Sequence, residues 1–496
     1  MKPSAATVAR LNRPAPASQL TEKGSLMSQQ QIVIIGGGFT GTALAIHLAR
    51  AGQAGLQVTV IEPRAQLAQG VAYGTTDPAH RINVPAGRMQ LAGDEEGVFD
   101  RDYRASAGFR ADPEALWHDG NVYPQRGEFG HWVNAQFVHQ QQHSPVKLSH
   151  LRDSAVAFKN GVVTTASGQQ IHADQVVLAI SHPPPDLPAL LRPLQGHPGL
   201  IANPWQRDAL AQVVPDDRVA IIGSGLTMSD MVASLHRQQH RGKITVFSRR
   251  GQLPRANLSG NNETYALDYS QPQSATARGW LHRVRQEVKQ AAALNLPWQL
   301  VLDDIRRNGQ RIWQSLSLHE QQRFLHHLRP WWDVHRYRIA PQVSQILSQQ
   351  QASGQLTLLA ARLIAAESDG ATLRLTLRLR GAQSHRLEVE KVIVTTGPAH
   401  NALLNSNALL RQLHGDGVIQ PDPLALGIQV NALSQTLNVN DEANPGLYVA
   451  GPAARGRFGE LMGLPQVAEH AESVARQLLN ALSLPVSERC PGSLTY

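Results

Sequence analysis

Two glycine clusters in this chain are spaced for the same chemistry. "GGGFTG" sets Gly36, Gly38 and Gly41 directly after the apolar run "QIVII", and "GSGLTM" sets Gly223 and Gly225 after "VAII". In a turn of this spacing the first glycine makes the tight bend. The second lets backbone approach a pyrophosphate, and the third lets helix pack on strand. The following helix offers its N-terminus to the phosphate charge. Met228 stands where the second cluster should have its third glycine; that position packs and does not meet phosphate. The strands that follow end differently. Glu62 closes the first, where a carboxylate accepts hydrogen bonds from ribose hydroxyls. Ser248, Arg249 and Arg250 close the second, where guanidinium attracts a 2′-phosphate that an acid would repel. Two such sites on one chain imply a resident FAD and a visiting NAD(P)H, NADPH ahead of NADH, whose hydride reaches the flavin.

Two more segments hold chemistry-bearing residues. In "HRINVPAGRMQLAGD", His80 to Asp94, Asn83 and the backbone around Pro85 are expected at the flavin ring edge. In "RFLHHLRPWWDVHRYRIAP", Arg323 to Pro341, a helix would gather Arg329, Trp331, Arg336 and Arg338 on one basic, aromatic face. Such a face suits a planar or anionic substrate. The same residues would equally serve as domain-packing tryptophans with solvated charges. Gly451, in "GLYVAGP", is placed with the cofactor residues. No His or acid can be assigned as a general base, so the catalytic residues are unknown, and no metal site is expected.

The elements that must position these residues follow a repeated plan. An apolar strand, a glycine turn, the helix "TALAIHLARAG" and the strand "LQVTVIEP" make a βαβ unit. A hairpin signal at Asn160-Gly161 marks a β-meander, and "VVLAIS" follows it. The Pro-rich "HPPPDLPALLRP" marks a boundary. The second turn then starts a unit of the same plan, ending in "VEKVIVTTGP". Between them, from about Ala275 to Gln351, the chain reads as helical, with Trp280, Trp298, Trp313, Trp331 and Trp332 along it. The fold class is α/β, with two dinucleotide-binding Rossmann-like domains, the second inserted in the first, and a helical insertion. The expected FAD-binding domain is 27–190 with 396–496. The NAD(P)-binding domain is 201–265 with 354–395, and a helical substrate region covers 266–353. Residues 1–26 read as a disordered tail.

Composition narrows the function classes. Among 496 residues the net charge is +8, yet no Lys/Arg block of the nucleic-acid kind occurs. Dispersed Arg fits dinucleotides and a small anionic substrate instead. Cys490 is the single cysteine, which excludes a disulfide framework and the redox-active pair that disulfide reductases need. No apolar run reaches the roughly eighteen residues of a membrane span, and no secretory signal is evident. A cytoplasmic protein without membrane or nucleic-acid partners is expected; the oligomeric state is not readable.

Taken together, "IVIIGGGFTG", "GVAYGTTDPAHRINVPAGRM", "IIGSGLTMSD…SRRG", "HLRPWWDVHRYRIAP" and "LYVAGP…GELMGLPQ" resemble a bacterial family of FAD/NAD(P)-binding oxidoreductases. That family includes the FAD-dependent urate hydroxylase and aspartate N-monooxygenases. The resemblance runs from about Gln31 to Leu482. It implies FAD at Gly36, Gly38, Gly41 and Glu62, and a methionine at 228 as normal for the group. Ser181 departs from it, standing where a glycine is usual. The expected activity is an NAD(P)H-dependent FAD monooxygenase, in which reduced flavin and O₂ form a C4a-hydroperoxide that oxygenates a substrate. The absence of FxGxxxHxxxW sets aside a Baeyer–Villiger enzyme. Urate, planar and anionic, is the leading substrate, giving 5-hydroxyisourate. The alternatives are N-hydroxylation of an amino acid of the aspartate type, and NAD(P)H–flavin reduction without oxygenation.

Overall fold

The computed structural model describes residues 29–483 apart from 181, 184, 261–263 and 271–272. The expected tail at 1–26, Ser181 and Cys490 lie outside the described residues. The apolar run at the start forms strand Gln30–Ile35, in which Ile32, Val33 and Ile34 are wholly buried. Such a run needs cover on both faces, and a parallel sheet flanked by helices supplies it. Leu56–Ile61 pairs with it in parallel, Ile32 facing Val58, on one side, and Gln175–Leu178 pairs in parallel on the other. The six-stranded sheet is completed by Lys147–Leu151 at one edge and by Ala443–Val449 with Gln435–Leu437 at the other. Ala443–Val449 pairs in parallel with Gln175–Leu178, Tyr448 facing Val177. The chain therefore leaves this sheet at Leu178 and re-enters it more than half its length later.

The second sheet has seven strands. Its centre repeats the first: Val219–Ile222 lies between two parallel neighbours, Ile244–Ser248 and Lys391–Val394. Leu356–Ser368 continues it in parallel, then pairs antiparallel with Leu373–Leu379, which pairs with Ser384–Val389. The first unit carries a matching antiparallel meander, Ala155–Lys159, Val162–Thr165 and Gln170–His172. Its tight turn is Asn160-Gly161, with φ of +51° and +74°. Both residues take the left-handed backbone that a two-residue hairpin of this hand requires.

Between the sheets' strands runs a helical segment, Ala277–Ala293, Trp298–Arg307, Gly309–Ser315, Leu318–Arg323, Arg329–Arg336 and Pro341–Ala352. A π-turn, Phe324–Leu328, joins the fourth and fifth helices. Part of it has its own small core around Trp280, Val301 and Ile305. The largest core is shared. It joins Ile32, Leu44 and Val58 of the first unit to Val219, Met231, Val246 and Ile393 of the second, and to Val343 and Leu347 of the last helix. No described helix is long and apolar enough to cross a membrane.

Candidate active site

The two glycine turns have nearly the same geometry. Gly36 and Gly223 sit at φ of +105° and +109°, left-handed backbone that favours glycine. A side chain on either would also run into the neighbouring parallel strand, at 2.3 Å from the Ala179 carbonyl oxygen and 2.6 Å from that of Thr395. Each turn leads into a 12-residue helix, Phe39–Arg50 and Leu226–Arg237, whose N-cap is Gly38 or Gly225 and carries no side-chain cap. Four other helices are side-chain capped, by Ser106, Thr276, Ser317 and Asn407, while several more, such as Arg126–His143 and Pro341–Ala352, are not. At the glycine turns no side chain takes the first N–H groups, which is the arrangement that suits a phosphate. Around Gly225 a Cβ would meet nothing within 4 Å, and at Gly38 only the Gly70 backbone at 3.8 Å. Uncapped amides with open space in front fit a dinucleotide pyrophosphate at both turns.

The turns differ at their third position. A Cβ on Gly41 would lie 1.9 Å from the Gly36 carbonyl oxygen, so only glycine fits there. Met228, by contrast, is fully buried in the shared core. Glu62 is 4% exposed, and its carboxylate already closes the first turn. It accepts from the Gly37 amide at 3.0 Å and from the Arg64 amide and guanidinium, both at 3.1 Å. A carboxylate has about four acceptor sites, so one remains for a ribose hydroxyl. Ser224 hydrogen-bonds Ser248 at 2.8 Å and the Gln252 carbonyl at 2.6 Å, fixing the strand end that carries Arg249 and Arg250. Both arginines are exposed and make no ion pair among the described residues. Arg250 lies 5.7 Å from the ring centre of Trp331.

Gly451 joins the first turn. Its φ is +83°, and a Cβ there would sit 2.7 Å from Thr40 Oγ1, on the helix that starts at the turn. Its amide donates to His470 Nδ1 at 3.0 Å, and His470 Nε2 meets Ser434 Oγ at 3.1 Å. Burial lowers the His470 pKa to about 4. The ring is neutral, and because Nδ1 accepts, the proton sits on Nε2. Nothing in the sequence pattern singled out His470 or Ser434. Asn83 is half-buried, and its carbonyl accepts from Asn257 Nδ2, which ties the 80–94 loop to the chain beyond the second turn.

A second tie was equally hidden. Arg126 meets both carboxylate oxygens of Asp230 at 2.8 Å, and Asp230 belongs to the helix of the second turn. Beside it His80 Nε2 meets Ser234 Oγ at 3.0 Å, and Ser234 donates to Asp77. Burial lowers the His80 pKa, with Asp230 acting the other way. The segment 77–126 thus clasps the second dinucleotide unit.

The tryptophans named above, Trp280, Trp298, Trp313, Trp331 and Trp332, all line one cavity of about 650 Å³. Its far wall is Leu426 and the segment after Gly451, with Arg455, Gly459, Glu460 and Met462. The cavity therefore shares a wall with the chain that reaches the first turn. The expected basic face is not what lines it. Arg329 and Trp331 do. Arg336 and Arg338 are instead buried in ion pairs with Glu460 and Asp303. Arg329 itself pairs with Asp333 at 3.4 Å. Acids four positions away or far along the chain neutralise the charges that the sequence presents as a stripe. Burial raises the Asp333 pKa, against the pull of Arg329, and pushes Tyr337 up to about 12. No cluster of three or more His, Cys, Asp or Glu that could hold a metal occurs among the described residues.

Comparison with known proteins agrees with this geometry. Residues 33–183 match a family model described as FAD-NAD(P)-binding, and residues 117–296 match one described as L-lysine 6-monooxygenase/L-ornithine 5-monooxygenase. No curated protein sequence matches. Among solved structures, ornithine hydroxylase from Pseudomonas aeruginosa is 17% identical with a TM-score of 0.59, over 92% of this chain and 100% of that one. The ornithine N-hydroxylase of Kutzneria sp. 744, solved with reduced FAD, NADP⁺ and L-ornithine, is 16% identical at 0.58, over 92% and 100%. L-lysine 6-monooxygenase from Pseudomonas syringae is 17% identical at 0.58, over 92% and 99%. At these identities the structures establish the α/β fold with its two Rossmann-like units. With its two open glycine turns and these family matches, the chain is an oxidoreductase that binds FAD and NAD(P)H and carries a segment similar to lysine and ornithine monooxygenases.

Proposed function

We propose that the protein is an NAD(P)H-dependent FAD monooxygenase that N-hydroxylates a primary amine. The match of residues 117–296 to the lysine/ornithine monooxygenase model carries this reading. The overall change is R–NH₂ + O₂ + NAD(P)H + H⁺ → R–NHOH + NAD(P)⁺ + H₂O. One oxygen atom enters the N–H bond, the other leaves as water, and the nicotinamide supplies the electron pair. FAD, when bound, supplies electron transfer and O₂ activation. The residues do the rest. Gly36, Gly38, Gly41, Glu62 and Gly451 hold the flavin nucleotide in the unit made by 27–190 and 396–496. Gly223, Gly225, Arg249 and Arg250 hold NAD(P)H in the unit made by 201–265 and 354–395. The aromatic cavity of the helical region seats the amine.

Urate, the leading substrate on sequence grounds, loses its support. Its reading rested on the family resemblance more than on residues, and the arginines of the segment that would suit it, Arg329, Arg336 and Arg338, are all ion-paired. The family match also points to amines. The test is aerobic NAD(P)H oxidation by the FAD-loaded protein with L-ornithine, L-lysine, L-aspartate, an apolar amine, urate or a quinone. Hydroxylamine is expected from an amine and none from urate. Oxidation that follows the quinone without O₂ uptake would make the protein a reductase instead.

A further inference from the structure

The cavity wall says more about the substrate than the arginines do. Five tryptophans and Phe324 face a space of about 650 Å³. That lies inside the range of pockets that enclose drug-sized organic molecules, roughly 300–1,000 Å³. The π-turn Phe324–Leu328 contributes Phe324, Leu325 and Leu328 to the same wall. Single π-helical turns within α-helices are frequent at functional sites.

A short amino acid would bring an α-ammonium and an α-carboxylate besides its reacting amine. Each needs a paired partner once out of water. The lining carboxylates are engaged, Asp333 by Arg329 and Glu460 by Arg336, so an α-ammonium finds no acid of its own there, although Arg285 and Arg455 also line the wall. Aromatic faces recognise rings through stacked or edge contacts instead.

From this wall we infer that the amine hydroxylated here carries a bulky, apolar, ring-bearing body instead of an amino-acid end. The inference rests on the amine-hydroxylation reading above and narrows its substrate class.

The experiment uses the full chain loaded with FAD. Three probes are titrated: 2-naphthylmethylamine, its alcohol 2-naphthylmethanol, and L-ornithine. Quenching of tryptophan fluorescence reads binding, and hydroxylamine formation with NADPH and O₂ reads turnover. The naphthyl amine is expected to bind at least 100-fold tighter than L-ornithine and to yield the hydroxylamine. Trp298→Ala and Leu325→Glu, both at half-buried positions, should each weaken it tenfold or more. Thermal melting and flavin content check that each variant is folded, and either folded variant suffices. Turnover of L-ornithine with a kcat/KM equal to or above that of the naphthyl amine overturns the inference. So does naphthyl binding that neither folded variant weakens. If both naphthyl probes bind tightly yet no amine gives a hydroxylamine, the amine-hydroxylation reading falls while the apolar character of the cavity stands.

Discussion

Arg126 and Asp230 bind each other through two hydrogen bonds of 2.8 Å, both residues under 10% exposed. Arg126 opens the helix Arg126–His143, and its Nε also donates to the Arg81 carbonyl at 2.8 Å. Asp230 sits one turn into the helix of the second glycine turn. Removing one side of a buried pair leaves a charge with no partner, which costs about 3–5 kcal/mol. Asp230→Ala is expected to lower unfolding stability on that scale, measured by urea denaturation. Replacing both residues by apolar ones should restore most of the loss. The single variant should also slow flavin reduction by NAD(P)H, followed by absorbance.

The two turns predict opposite outcomes for one substitution. Gly41→Ala places a methyl 1.9 Å from the Gly36 carbonyl oxygen, so helix and strand must part. This variant is expected to purify without flavin or not to fold. Gly225→Ala meets nothing within 4 Å, and its φ of −92° suits alanine. It should fold and keep its flavin, yet raise the KM for NAD(P)H, because its methyl occupies the space where phosphate must approach. A Gly225→Ala protein with unchanged KM would move the nucleotide elsewhere.

Arg249 and Arg250 stand exposed at the strand end, without acidic partners among the described residues. A hydrogen bond to a charged group contributes about 1.5–3 kcal/mol. Replacing both by alanine should therefore raise the NADPH KM tenfold or more and leave that for NADH little changed. An equal rise for both coenzymes would end the 2′-phosphate assignment.

His470 makes the protein acid-sensitive. Its folded pKa of about 4 lies below the ordinary histidine value of 6.5. Between those values the unfolded chain takes up a proton that the folded one refuses. Stability is therefore full above pH 6.5 and falls as the pH drops toward 4. Thermal melting at stepped pH should show this loss. His470→Gln removes the titrating group, so its melting temperature should vary less across that window.

Why some of this was readable and some was not follows from sequence distance. The turns are dictated within a dozen residues, since strand run, glycine spacing and helix are contiguous. The same holds for the Asn160-Gly161 hairpin. Arg126 and Asp230 lie 104 positions apart, and Arg336 and Glu460 lie 124 apart. Residue types at 323–341 show charge but not its neutralisation, which folding decides. The tryptophans were visible as a list; that they surround one cavity depends on how several separate helices pack.

The shared core has a thermodynamic consequence. Ile32 and Leu44 lie in one contiguous cluster with Met231 and Val246. Separate domains usually melt in separate steps. Here neither half can lose its structure without exposing the apolar surface of the other. The chain should melt in a single calorimetric transition, and a fragment cut out at either set of boundaries should be insoluble on its own.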